Sequence, residues 1–150
     1  DIDCKAVFLM RDPIARIKSA LRFGMDKGGA PGVDLNGNQD FLSLLSKYYN
    51  GEHCKMRSRY DLAIKRARKA FGRTNVYVGI YETMFQDTEI ERLSYFCGVE
   101  PMPSFAQTRV NKTKNTPESD PEIEADIKLF YKDVYDYCYK NFPETRTLWS

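Results

Sequence analysis

Residues 5–19 read KAVFLMRDPIARIKS, and this stretch holds a strand, a helix and the candidate chemistry of the chain. The apolar run at residues 5–10 has the length of a buried strand. Asp12 is a good N-cap and Pro13 a good first helical residue. Apolar residues then recur at helical spacing as far as residue 23, so a strand, a tight turn and a helix follow one another directly.

The rest of the sequence predicts helices and one further strand. The strand covers residues 75–81 (NVYVGIY), which are rich in β-branched and aromatic residues. Residues 24–38 and 101–118 are rich in polar, glycine or proline residues and predict irregular structure. Helices are predicted at residues 13–23, 40–49, 57–71, 87–97 and 121–141.

The order of these elements favours an α/β layer with parallel strands. Parallel sheets are normally buried on both faces and contain more than two strands. We therefore expect the N-terminal half of the fold to lie outside this chain, which opens on Asp1-Ile2-Asp3 without a methionine. Residues 1–150 are interpreted as a single, partial domain.

Composition excludes several classes of protein. Hydrophobic residues make up 42% and charged residues 29% of the chain, which is typical of a globular domain and not of a disordered one. The formal net charge of +2 is too small to indicate a nucleic-acid-binding face, although it leaves room for one anion pocket. No apolar run is long enough to span a bilayer.

The cysteines do not indicate a disulfide framework or a metal site. Cys4, Cys54, Cys97 and Cys138 are widely spaced and form no C-x-x-C pair, so free thiols are expected. His53 lies beside Cys54, but further ligands at metal-binding spacing are missing.

The turn after the first strand has the features of an anion site. Arg11 lies at the C-terminal end of a strand, where α/β sheets bind ligands, and the amides of the next helix favour an anion. A guanidinium binds two phosphate oxygens at once, and Ser19 on the same helix adds a hydroxyl. Arg16 lies between them and is expected to shape the pocket or to pair with an acid. The alternative is a helix start with an exposed arginine and an ordinary serine.

The pattern R-x-P-x-x-R-x-x-S at residues 11–19 resembles the 3′-phosphate-binding motif of the sulfotransferase family. Three later stretches resemble that family in the same order, nearest to its heparan-sulfate-type and bacterial members. Residues 58–62 resemble its S-x-Y stretch, and residues 76–82 resemble its strand that ends in Tyr-Glu. Residues 93–99 resemble its L-x-x-F-L-G-V helix end, with Cys97 in place of leucine.

This resemblance implies a partial, P-loop-like three-layer fold and the donor 3′-phosphoadenosine 5′-phosphosulfate. It implies that Arg11 and Ser19 contact the donor's 3′-phosphate and that Tyr81 lies near its adenine, the alternative being a core tyrosine. Lys112 falls where a second donor-binding loop is expected, the alternative being a solvated loop charge. The acceptor would be a hydroxyl or amine of a glycan, a lipid or a small molecule. The 5′-phosphosulfate loop and the catalytic base would lie upstream of this chain.

Two other functions stay open at this point. One is a P-loop kinase-like nucleotide-binding enzyme, which would share the layered fold. The other is a non-catalytic interaction module in which the basic run at residues 65–73 binds an acidic partner, although such a run is ordinarily a solvated helix face. The compartment is also open: the cytoplasm for a bacterial member, and the Golgi lumen for a eukaryotic glycan-modifying member.

Overall fold

The computed structural model describes residues 4–30, 40–103 and 118–150. These residues form an α/β protein that is mostly helical and has a small parallel sheet. The strands are β1 (Ala6–Met10) and β2 (Val76–Ile80). The helices are α1 (Pro13–Asp26), α2 (Phe41–Tyr48), α3 (Glu52–Ser58), α4 (Tyr60–Phe71), α5 (Asp87–Cys97), α6 (Pro121–Phe130), α7 (Lys132–Asn141) and α8 (Thr145–Leu148), and a short 3₁₀ helix (Arg73–Asn75) precedes β2.

The chain divides into two compact units. Unit 1 comprises Asp1–Arg11 and Asp61–Lys112, and unit 2 comprises Asp12–Tyr60 and Thr113–Ser150. Unit 1 therefore contains the sheet and α5, whereas unit 2 contains a group of helices that includes α1.

In unit 1, both predicted strands are confirmed and run parallel. Their register places Ala6 opposite Val76 and Met10 opposite Ile80, and the Tyr81 N–H donates to the Met10 carbonyl at 2.7 Å. Met10, Val76 and Ile80 are buried because they face the interior of the unit. α5 ends at Gly98, whose φ of 74° suits glycine, as the predicted helix end requires.

In unit 2, the apolar faces of the helices form the core. α1 lies against α2, α3 and α6. Its inward-facing Ile17 and Leu21 are fully buried. The inner face of α2 consists of four buried side chains: Phe41, Leu44, Leu45 and Tyr48.

Two of the predicted helices differ in their bounds from the helices of the structure. The helix predicted at residues 57–71 is found as α4, which begins at Tyr60; α3 ends before it at Ser58, with Arg59 (φ −79°, ψ 68°) between them, and residues 52–56 of α3 were not predicted as helical. The predicted final helix breaks at Tyr131 into α6 and α7. At this break the inward-facing side changes, so Phe130 is 46% exposed while Tyr131 is buried.

The end of α1 also differs from the prediction. The helix continues to Asp26 and so includes the first part of the loop predicted at residues 24–38. Gly24 is buried there, and a Cβ on it would lie 2.6 Å from the Cβ of Ala30, so glycine is required by close approach. Most of the two predicted irregular segments, residues 31–38 and 104–117, lies outside the described residues.

The cysteines are free, as predicted: Cys54 and Cys138 are buried, and Cys4 and Cys97 are exposed. In the described part of the chain, no helix has both the length and the apolar character that a membrane span requires. Over the same residues, no three His, Cys, Asp or Glu side chains come together in a group suited to a metal ion.

Candidate functional site

The carboxyl ends of the two strands bring Arg11 and Tyr81 together. Because Met10 lies opposite Ile80, the next residue of each strand leaves the sheet at the same edge. The Arg11 guanidinium carbon lies 4.6 Å from the centroid of the Tyr81 ring, which is a cation–π contact. Tyr81 is 41% exposed.

This contact leaves the arginine suited to an oxyanion. Stacking uses the face of a guanidinium, whereas its N–H donors point outward in the plane of the group. The Tyr81 ring is in turn supported by Phe85, whose centroid lies 5.5 Å away at an angle of 87°. Unit 1 therefore places the Arg11 guanidinium beside the partly exposed ring of Tyr81 at one edge of the sheet.

In unit 2, Asp12 and Pro13 begin α1 as predicted. Asp12 Oδ2 accepts from the Ala15 N–H at 2.9 Å, and Pro13 is the first helical residue. Asp12 Oδ1 accepts from the Tyr135 hydroxyl at 2.7 Å. Burial, and then the nearby Asp12 carboxylate, raise the pKa of Tyr135, so the phenol remains a donor at neutral pH.

The Asp12 cap corrects one expectation about the anion site. The amides at the start of α1 were expected to be open to an anion, but the Ala15 amide is already bonded to a carboxylate of the same chain. An anion near this turn therefore depends on side chains more than on that amide.

Ser19 lies on α1 in unit 2, where it is half-buried, and Arg11 belongs to unit 1. The pair that the structure brings into direct contact is thus Arg11 with Tyr81. Lys112, the remaining predicted donor ligand, lies outside the described residues.

Among the described residues, the partner of Arg16 is a hydroxyl and not the acid that was one of its two expected partners. Its Nη1 donates to the hydroxyl of Ser58 at 2.9 Å, and Ser58 is fully buried at the end of α3. Ser58 begins the stretch that resembles the family's S-x-Y pattern. The sequence indicated residues 11–19 and residues 58–62 separately, but it did not predict that they are in contact.

A second contact of α1, an ion pair, was also missed. Lys18 is only 7% exposed, and its Nζ lies 2.7 Å from Oε1 of Glu124 on α6. The hydrogen bond from Lys18 holds the pKa of Glu124 below its ordinary value, and the Ser119 hydroxyl donates to the same oxygen at 2.7 Å. A lysine between Ile17 and Leu21 on the apolar face was the only sequence signal, because its partner lies 106 residues away.

Unit 1 also has a shallow cleft of about 430 Å3 beside β2 and α5, lined by Tyr77, Glu91, Arg92 and Tyr95. The Tyr77 hydroxyl donates to Glu89 at 3.0 Å at this surface. Burial, followed by this hydrogen bond, raises the pKa of Tyr77 to about 12. Tyr95 is 90% exposed, so the cleft is open to solvent and has no enclosed ligand-sized cavity.

The basic run on α4 and after it is largely solvated. Lys65, Arg66, Lys69 and Arg73 are exposed, and Arg68 is half-buried. This arrangement agrees with the solvated helix face that such a run ordinarily indicates.

Comparison with known proteins does not identify a relative. No protein-family model, no curated protein and no solved structure matches this chain.

Proposed function

We propose that this chain forms the nucleotide-anchoring part of a sulfotransferase that uses 3′-phosphoadenosine 5′-phosphosulfate. The observation that carries the proposal is the contact of Arg11 with Tyr81 beyond the ends of two parallel strands. A 3′-phosphoadenosine has a doubly charged group close to a flat aromatic base. A guanidinium and an aromatic ring at one edge match those two features.

Arg11 binds the 3′-phosphate in this proposal, and Tyr81 lies near the adenine. The resemblance of residues 11–19 to the family's motif assigns Ser19 to the same phosphate, and Lys112 to a further donor contact. The Asp12 cap belongs to the same motif and fixes the first turn of α1 directly after Arg11.

The sheet also supports a larger P-loop-like fold in the whole protein. Val7 and Leu9 of β1 are each 45% exposed, although parallel strands are normally covered on both faces. We propose that further strands and helices of a three-layer fold cover these side chains.

The reaction would transfer a sulfuryl group from the donor phosphate to a hydroxyl or amine. The bond between sulfur and the donor's bridging oxygen breaks, a bond from sulfur to the acceptor forms, and a base takes the acceptor proton. The products are the sulfated acceptor and adenosine 3′,5′-bisphosphate. As in phosphoryl transfer, the protein would act mainly by positioning both partners. The residues of this chain hold the nucleotide end and do not touch the sulfuryl group.

Replacement of Arg11 tests the assignment. A hydrogen bond to a charged group contributes about 1.5–3 kcal/mol, so Arg11→Ala should raise the dissociation constant of adenosine 3′,5′-bisphosphate by about tenfold to a hundredfold. Calorimetric titration of the purified full-length protein measures this change. Arg66→Ala is the matched control because Arg66 is exposed on α4 and is expected to leave affinity unchanged.

Two further ligands make the result specific. Adenosine 5′-monophosphate lacks the 3′-phosphate, so its weaker binding should respond little to Arg11→Ala. If Arg11→Ala weakened the binding of both nucleotides equally, Arg11 would not bind the 3′-phosphate. A preference of the unmodified protein for ATP over the bisphosphate would contradict the sulfotransferase proposal and support a kinase-like enzyme.

A further inference from the structure

A buried polar cluster in unit 2 joins the start of α1 to α3 and to the junction of α6 and α7. It consists of Arg16, Cys54, Ser58 and Tyr131. Arg16 Nη1 donates to Ser58 Oγ at 2.9 Å, and Cys54 Sγ lies 3.9 Å from the same hydroxyl. The Tyr131 hydroxyl donates to the Tyr49 carbonyl at 2.6 Å and lies 3.7 Å from Cys54 Sγ.

Three members of this cluster are enclosed, and Arg16 is half-buried. Cys54, Ser58 and Tyr131 are each 1% exposed or less. Burial, followed by the neighbouring thiol, raises the pKa of Tyr131, so its phenol remains protonated. Buried polar groups that satisfy one another in this way have few alternative geometries, and they fix the direction of each member.

Arg16 is the member that links the cluster to the motif. It occupies the middle of residues 11–19, and Ser19 lies three residues later on the same helix. The bond to Ser58 also joins the two stretches of sequence that resemble the family separately. Rotation of α1 about its own axis would stretch that bond, so the bond helps to fix the direction in which the Cα–Cβ bond of Ser19 leaves the helix.

We infer that Arg16 is a positioning residue for nucleotide binding. Through its bond to Ser58, Arg16 fixes the rotation of α1 and thereby the place of Ser19 on the helix face that meets the nucleotide. This inference rests on the proposed function, because it assumes that Ser19 binds the 3′-phosphate. Arg16 itself does not contact the nucleotide in this scheme. Its guanidinium is already directed at Ser58.

Ser58→Ala gives the cleanest test. It removes the acceptor of Arg16 and changes the volume of a fully buried side chain by one oxygen only. We expect the dissociation constant of adenosine 3′,5′-bisphosphate to rise by about threefold to tenfold, the effect of one misdirected hydrogen bond. Ser46→Ala, which alters an exposed serine of α2, is the matched control and should change nothing.

A double-mutant cycle distinguishes positioning from general loosening of the fold. If Arg16 and Ser58 act through Ser19, Ser58→Ala should weaken binding in the unmodified protein but have almost no further effect once Ser19→Ala is present. An equal effect in both backgrounds, or an unchanged affinity of Ser58→Ala, would overturn the inference.

Arg16→Lys provides a second variant should Ser58→Ala fold poorly. Lysine keeps the charge but loses the planar fork, so it should show the same dependence on Ser19. If the unmodified protein does not bind the bisphosphate at all, the proposed function fails. If it binds but both variants bind equally well, only the role of Arg16 fails.

Discussion

Replacement of Glu124 by leucine should destabilise unit 2 far more than an ordinary surface change. Lys18 is 7% exposed, and Glu124 is its charge partner at 2.7 Å. Glu124→Leu therefore leaves an ammonium group buried without a counter-ion. Removal of an exposed charge, by comparison, typically changes stability by less than about 0.5 kcal/mol.

The magnitude follows from the geometry of the pair. At 2.7 Å and an effective dielectric constant of about 20, the attraction amounts to about 6 kcal/mol. The desolvation of each ion opposes it by several kcal/mol, so the intact pair is close to neutral overall. Removing one partner of a buried pair costs about 3–5 kcal/mol. Because the Glu124 side chain is 29% exposed, we expect the lower end of that range, about 3 kcal/mol.

Urea unfolding of the full-length protein, followed by circular dichroism, measures the loss. The double variant Lys18→Met with Glu124→Leu removes both charges and should return to within about 1 kcal/mol of the unmodified protein. Ser119→Ala removes only the hydroxyl that donates to Glu124 and serves as the control, with an expected cost of about 0.5–1 kcal/mol. A double variant as unstable as Glu124→Leu alone would refute the reasoning.

Two further predictions concern the same helix, α1. The folded-state pKa of Glu124 lies below its ordinary value of 4.5, so its contribution is complete above that value and is lost as the pH falls through the folded pKa. The free energy of unfolding should therefore fall more steeply as the pH is lowered below 4.5 in the unmodified protein than in Glu124→Leu, and parallel curves would contradict this. Tyr135→Phe removes the donor to Asp12 and should lower the free energy of unfolding by about 1.5 kcal/mol. Tyr95→Phe, at a residue that is 90% exposed, should leave it unchanged, and equal losses would argue against the cap contact.

The local part of this fold was readable from the sequence. β1, β2 and the start of α1 were predicted because strand propensity, the Asp12 cap and Pro13 act within a few residues. The parallel direction followed from the helices between the strands. The position of Arg11 at a strand end followed with it.

The helix breaks at Arg59 and Tyr131 were not readable. Propensity continues through both positions, and the contacts made there are distant in sequence: the Tyr131 hydroxyl donates to the Tyr49 carbonyl, 82 residues earlier. A contact of that kind outweighs the few tenths of a kcal/mol by which local propensities differ.

The same difference between local and distant interactions holds for the candidate site and the residues around it. The sequence by itself indicated Arg11 and Ser19 as candidates, because the motif that resembles the family's is contiguous. Only the tertiary structure decided that Arg16 bonds to Ser58 and that Lys18 pairs with Glu124. Pairing between distant polar groups depends on which helix faces meet, and apolar burial selects those faces without regard to the polar partners.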